Sequence, residues 1–197
     1  MQSARDLIEE AVKLGPAPML KRHGFKKSAF NFGRRQGSVA HFLNLQLSQW
    51  NQGIDGRFYV NAGVLFDDMH RLRGIEPPLL PKYGDCDFMV RWEALDPQLP
   101  ASVKVDADTD PKALAEWLAH RLESVLVLPL NAVSSTQDFG RTGWVNAVHW
   151  DFPARYHFVV GNTEEARRLV QLQADTFADR GCTFESVAAN LRLTFST

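Results

Sequence analysis

The chain has 197 residues, and its 22 Lys and Arg against 23 Asp and Glu give a formal net charge of −1. Hydrophobic residues make up 45% and charged residues 23%, which is ordinary for a globular domain and excludes collagen-like, coiled-coil and wholly disordered chains. The balanced charge argues against a globally basic nucleic-acid-binding protein.

The start of the sequence and its cysteine content predict a cytoplasmic protein. The first residues include Asp6, Glu9 and Glu10 and no continuous apolar stretch, unlike a signal peptide. The longest apolar run is four residues, 125–128, far short of the ~20 residues of a membrane span. Two cysteines are too few for a secreted disulfide scaffold.

The sequence pattern over residues 3–24 predicts two helices. Ser3 is a suitable N-cap for a first helix, which Gly15 and Pro16 interrupt. A second short helix over 18–23 ends at Gly24. The apolar face of the first helix consists of Leu7, Ile8, Ala11 and Val12.

The hydrophobic period then changes to two, which is typical of strands. Phe30 and Phe32 alternate with polar residues, and the same alternation runs over 39–49 and 57–66. A turn-rich stretch, 51–56, separates the two longer segments. This arrangement predicts an antiparallel hairpin with one strongly apolar face.

The remaining elements are mostly helical. Residues 67–110 are expected to be irregular, with a short strand over 88–93. Asp110 and Pro111 predict the start of a helix that Pro129 ends. A strand over 144–150 is one interpretation of the uncertain segment 130–150. Two further helices are expected, from Asn162 to about residue 180 and over 184–193.

These elements predict an α+β fold, a small antiparallel sheet packed on helices with a C-terminal helical appendage. We expect an α+β domain over residues 1–140. The mainly helical segment 141–197 is expected to pack on the same core.

Several residues around the hairpin resemble one known family. The similarity lies in Gly24–Lys27, Phe30 and Phe32, residues 43–48 and residues 58–63. Over roughly residues 5–140 the chain resembles the bacterial domain of unknown function 4304, with a helical C-terminal extension. That family implies no activity, but some members resemble immunity genes of bacterial toxin systems by their setting.

Motifs for phosphate, cofactor and metal chemistry are missing from the sequence. It contains no Gly-x-Gly, no Gly-Lys-Ser/Thr and no Gly-x-Ser-x-Gly. Asp106, Asp108 and Asp110 look like the start of a calcium loop, but Pro111 and Trp117 stand where that loop needs Gly and Glu. We therefore expect neither a metal nor a cofactor.

A row of polar side chains on the predicted hairpin is the strongest candidate site. Side chains on one face of an antiparallel pair lie within ~5–8 Å of each other, and amides both donate and accept hydrogen bonds. The row is either a binding face or simply the polar side of a half-buried sheet. Trp50 at the hairpin loop and Arg91 are further candidates. The predicted binding residues are Asn44, Gln46, Ser48, Trp50, Tyr59, Asn61 and Arg91.

Charge is distributed unevenly along the sequence. Residues 18–37 contain six basic residues and no acidic one, whereas residues 66–110 contain ten acidic and five basic residues. The acidic segment suits a basic partner such as a toxin. The basic segment is a weaker candidate for nucleic acid, which we consider an unlikely partner.

The leading hypothesis is a non-catalytic protein-binding module, in its sharpest form an immunity protein that neutralises a toxin. The alternative is a small-molecule-binding protein or an enzyme of unknown reaction. Its site would lie between the sheet face and the 67–110 loop, with Asp68, His70, Cys86 and Arg91 as polar walls.

Overall fold

The computed structural model describes residues 3–79, 81–148 and 151–195, which begin with the two predicted helices. α1 spans Ala4–Leu14 and α2 spans Pro16–Arg22. The Ser3 hydroxyl accepts a hydrogen bond from the Asp6 backbone N–H, and the Asp6 carboxylate accepts one from the Ser3 N–H. This reciprocal cap confirms the predicted start of α1.

Six strands form one sheet in which every pair is antiparallel. The strand order is β1-β2-β3-β4-β5, and β6 pairs with the first residues of β4. The predicted hairpin is β3 and β4, in a register that places Asn44 opposite Asn61. The strands are β1 Lys26–Ser28, β2 Asn31–Gln36, β3 Val39–Leu47, β4 Gly56–Phe66, β5 Phe88–Arg91 and β6 Val103–Val105.

The two faces of the sheet have different surroundings. The inner face buries the predicted apolar row, including Leu43, Leu45 and Val60, in the main core with the buried side of α1. The opposite face is covered in part by residues 78–79 and 81–87, where the Tyr83 ring lies 5.8 Å from that of Phe42. The rest of this face carries the polar row.

The segment 67–110 is more regular than predicted. α3 follows β4 directly and spans Asp67–Leu72, and β6 lies near the segment's end. Sequence patterns missed both because each is short, and α3 has no side-chain N-cap. β6 is held by its pairing with β4 rather than by its own pattern.

The predicted end of the next helix at Pro129 is wrong. α4 spans Pro111–Leu122 after the predicted Asp110 cap, and the helical path continues through a wider π turn, Glu123–Val127, into α5, Leu128–Asn131. In the wider turn the Leu128 N–H bonds to the Glu123 carbonyl. Pro129 then lies in the first turn of α5, where its missing N–H costs little.

The strand predicted over 144–150 is also wrong for residues 144–148. Val145–Ala147 form a 3-10 turn, and residues 149 and 150 lie outside the described part of the chain. Trp144 is buried against Phe88 and Phe139. Its apolar side chain therefore joins a compact aromatic cluster instead of alternating along a sheet.

Helices make up most of the C-terminal part, as predicted. They are α6 Thr136–Phe139, α7 Asp151–Val159, α8 Thr163–Thr176 and α9 Phe184–Leu191. The Asn162 side chain accepts from the Glu165 N–H at the start of α8. α8 ends before the predicted residue 180, because a short 3-10 turn and the left-handed Gly181 follow it.

Candidate functional site

The predicted polar residues form a hydrogen-bonded row across neighbouring strands. Asn61 Nδ2 donates to Asn44 Oδ1 at 3.0 Å and to Gln46 Oε1 at 3.1 Å. Asn44 Nδ2 in turn donates to Asn31 Oδ1 at 2.7 Å. We call Asn31, Asn44, Gln46 and Asn61 the amide row. Its geometry follows from the strand register, which aligns Asn31, Asn44 and Asn61.

Members of the amide row differ in exposure. Asn61 is 3% exposed and uses both N–H groups of its side chain within the row. Gln46 is exposed and Asn44 is half-buried. The buried Asn61 side chain therefore fixes the positions of the Asn44 and Gln46 side chains through its two hydrogen bonds, while the Gln46 amide is accessible to solvent.

Arg91 extends the amide row onto a further strand. It stands opposite Asn61 on β5, and its guanidinium carbon lies 4.4 Å from the centre of the Tyr59 ring. A cation stacked on an aromatic ring has a restricted side chain. Tyr59 and Arg91, both predicted from the sequence, thus form one ordered basic-aromatic pair.

Trp50 stands at the end of the hairpin with 78% of its surface exposed. A groove of about 430 Å³ runs beside it, and its charged lining consists of Asp55, Asp106, Arg57 and Lys104. Arg57 and Lys104 are opposite each other on β4 and β6. Ser48 plays a local part, because its hydroxyl accepts from the Trp50 N–H at 3.2 Å. Ser48 therefore supports the loop that carries Trp50.

We define the outer face as the amide row together with Trp50, Arg57, Tyr59, Arg91 and Lys104. Sequence reasoning missed Asn31, Arg57 and Lys104. Only the strand register shows that these three side chains share a face with the predicted residues.

The described strands contain no Asp or Glu, and all of them except β3 contain Lys or Arg. Register places five of the basic residues on the same side of the sheet as Asn44. These five residues are Lys26, Arg35, Arg57, Arg91 and Lys104. Among them, Arg35 is neutralised by Asp67 at 2.8 Å.

Three of the ten carboxylates in the acidic segment 66–110 are paired within the molecule. Asp87 bonds to Arg73 at 2.6 Å, and Asp67 bonds to Arg35. The Asp68 carboxylate accepts from the Thr136 hydroxyl at 2.6 and 2.7 Å. These three carboxylates stabilise the fold and are not free to meet a basic partner.

The four residues of the alternative site have separate partners. His70 Nε2 bonds to the Asp85 carbonyl, Asp68 to Thr136, and Arg91 stacks on Tyr59. Burial, with the nearby Asp87 and Asp85 charges, raises the pKa of the Cys86 thiol to about 12. A thiol with that pKa is a poor nucleophile at neutral pH.

A polar cavity of about 330 Å³ lies between the 84–89 segment and α7. Its charged lining consists of Arg73, Asp87, Asp151 and Arg155. Burial raises the pKa of Asp87, although the Phe66 N–H and Arg73 oppose this effect. The carboxylate also accepts from that Phe66 N–H at 2.9 Å, so it fastens the end of β4.

Within residues 3–79, 81–148 and 151–195, no three His, Cys, Asp or Glu side chains are grouped to hold a metal ion. None of the helices in those ranges has the length and apolarity needed to cross a membrane.

Comparison with known protein families gives a match over more than half of the chain. The family model described as a domain of unknown function (DUF4304) matches residues 16–132. No curated protein and no solved structure matches the chain. The matched region contains every residue of the outer face and ends just beyond α5.

Proposed function

Because the chain belongs to the DUF4304 family, whose name assigns no activity, we propose a function from its own geometry. It is a non-catalytic protein-binding module of the bacterial cytoplasm, and the outer face holds a partner protein. The observation that carries this proposal is the amide row, already ordered across β2, β3 and β4 beside the exposed Trp50.

The chemistry of the outer face suits binding better than catalysis. Amides donate and accept hydrogen bonds but do not transfer protons near neutral pH. Because the row is ordered before any partner arrives, less conformational entropy is lost on binding. Trp50 and the stacked Arg91 are the residue types that contribute most to protein interfaces.

The charge of the outer face indicates the chemistry of the partner. Arg57, Arg91 and Lys104 contribute positive charge, while Asp55 and Asp106 contribute negative charge in the groove beside Trp50. An acidic patch on the partner opposite Arg91 is therefore favoured. The immunity-protein version stays a prediction, but the expected charge of the toxin surface changes. A toxin bound at this face would present an acidic patch, rather than the basic surface expected from the acidic segment.

The first experiment is native mass spectrometry of the tagged protein purified gently from its own host. We expect a stoichiometric protein companion, whose identity decides whether immunity is the right version. A retained small molecule without a protein companion would contradict the proposal. Such a result would direct attention to the polar cavity beside Cys86 and Asp87.

Variants of the outer face then test the site. With the companion in hand, Gln46→Ala, Trp50→Ala and Arg91→Glu are each expected to weaken binding about tenfold or more. Isothermal titration calorimetry measures the affinity. Lys112→Glu is the matched control for the charge reversal, because Lys112 is exposed on α4. If the three variants bind as tightly as the control, the outer face is not the interface.

A further inference from the structure

β1 forms one edge of the sheet and has a single neighbour, β2. All three of its residues, Lys26–Ser28, are exposed. No other described strand pairs with its far side. An unpaired strand edge presents backbone N–H and C=O groups to which an extended segment can add.

Two cavities flank this edge. One, of about 480 Å³, lies against α2 and is lined by Ala17, Pro18, Lys21, Phe25, Lys26 and Lys27. The other, of about 290 Å³, is lined by Gly24, Lys26, Gly33, Arg34, Arg35 and Leu79. Lys26 lines both cavities, so they meet at β1.

The two cavities differ in chemistry. The one against α2 is lined by three apolar residues, Ala17, Pro18 and Phe25, together with three lysines. The charged residues of the second are Lys26, Arg34 and Arg35, of which Arg35 is paired with Asp67. Successive side chains of a strand point to opposite faces, so an added strand would place alternate residues toward these two cavities.

The edge also carries uncompensated positive charge. Lys21, Lys26 and Lys27 form no ion pair within the described residues. The nearby carboxylates are occupied, because Glu123 bonds to His23 and Asp67 bonds to Arg35. Acidic side chains on an arriving segment would therefore meet lysines that no described carboxylate pairs with.

We propose that the β1 edge binds an extended segment of a partner protein in which apolar and acidic residues alternate. The segment adds as a strand alongside β1, with apolar side chains toward Ala17, Pro18 and Phe25 of the α2 cavity. Its carboxylates lie toward Lys26, on the side of the sheet that carries the second cavity. None of the residues of this site belongs to the outer face, so the proposed edge binding does not depend on the proposed function.

Edge lysines also protect sheets from aggregation, and the experiment must separate that role from binding. The full chain is used to select peptides from a displayed random library, and the enriched peptide is synthesised with a fluorescent label. We expect alternating apolar and acidic residues in the enriched set. Fluorescence anisotropy should show binding that weakens as salt is raised.

Three variants locate the bound peptide. The double variant Lys26→Glu, Lys27→Glu should weaken binding about tenfold or more, while Lys112→Glu should not. Methylation of alternate backbone nitrogens of the peptide should also abolish binding, because it removes the strand hydrogen bonds but keeps the charge. Trp50→Ala should leave the peptide affinity unchanged, which separates this site from the outer face.

Several results would overturn the proposal. These are an enriched set without acidic residues, equal binding by the Lys26→Glu, Lys27→Glu protein, and equal binding of the methylated peptide. A labelled oligothymidylate that displaces the peptide would assign the edge to nucleic acid. Lys26 and Lys27 are exposed, so the variant should fold, and a circular dichroism melt checks this.

Discussion

Asn61 and His41 are both buried polar residues of the central hairpin, but their hydrogen bonding differs. Asn61 directs both side-chain N–H groups to neighbouring amides. His41 lies on the inner face, where its Nδ1 accepts from Arg34 Nε at 3.0 Å and its Nε2 has no partner. Burial, and then the Arg34 charge, lower the pKa of His41 to about 3.

The lowered pKa of His41 predicts a loss of stability in mild acid. The unfolded chain takes up a proton at this residue near pH 6.5, whereas the folded chain does so only near pH 3. Stability is therefore fully present above about pH 6.5 and decreases as pH falls toward 3. Between about pH 6 and pH 4, the wild type should lose about 2 kcal/mol more unfolding free energy than His41→Gln.

Urea denaturation at a series of pH values measures this difference. His120→Gln is the control, because His120 is exposed, and it should follow the wild-type curve. Parallel curves for the wild type and His41→Gln would show that His41 does not govern the acid response.

At the residue scale, strand alternation was enough to predict most of the amide row. Asn44, Gln46 and Asn61 each fall on the polar side of a clear two-residue period. Asn31 was missed for a different reason. The alternation of Phe30 and Phe32 predicts a strand at this position, but it does not show which strand lies beside it. Its bond to Asn44 depends on the β2–β3 register.

Helix boundaries at the element scale depended on tertiary packing. Gly15 separates α1 from α2, and an added Cβ there would come within 3 Å of the Ala115 backbone of α4. The same absence of a side chain that interrupts the helical pattern therefore also permits close packing of α4. The sequence indicated only the first of these two roles.

Gly15→Ala should destabilise the protein by about 2–3 kcal/mol, because backbone atoms cannot yield as a flexible side chain does. Chemical denaturation measures the change in unfolding free energy. Gly84→Ala is the matched control, since its Cβ would meet open space, and it should change stability by about 0.5 kcal/mol or less. If the two substitutions change the unfolding free energy equally, the backbone of α4 can move to make room for the added Cβ at Gly15.

At the scale of the whole molecule, the main core extends beyond the family match. Phe139 and Phe152 pack with Phe66 and Phe88 at ring distances of 4.9 to 5.8 Å. The match to the family ends at residue 132, so part of this aromatic cluster is supplied by later residues. A second, smaller core lies among α7, α8 and α9.

Truncation should distinguish these two cores. Residues 1–133 lack Phe139, Trp144, Phe152 and Tyr156, which belong to the main core, and should show no cooperative thermal transition. Residues 1–161 keep all four and should unfold cooperatively at a lower temperature than the full chain. Circular dichroism melts measure both. A cooperative transition in the shorter fragment would mean that the matched region folds without the C-terminal helices.

The sequence by itself determined the α+β class, the β3–β4 hairpin, the capped starts of α1, α4 and α8, and most of the amide row. Capping and alternation are local properties, so short windows of sequence contain them. Only the tertiary structure decided the path through Pro129, the aromatic packing of Trp144 and the basic character of the sheet. Those features depend on residues that are distant in sequence and are brought together by strand pairing and core packing.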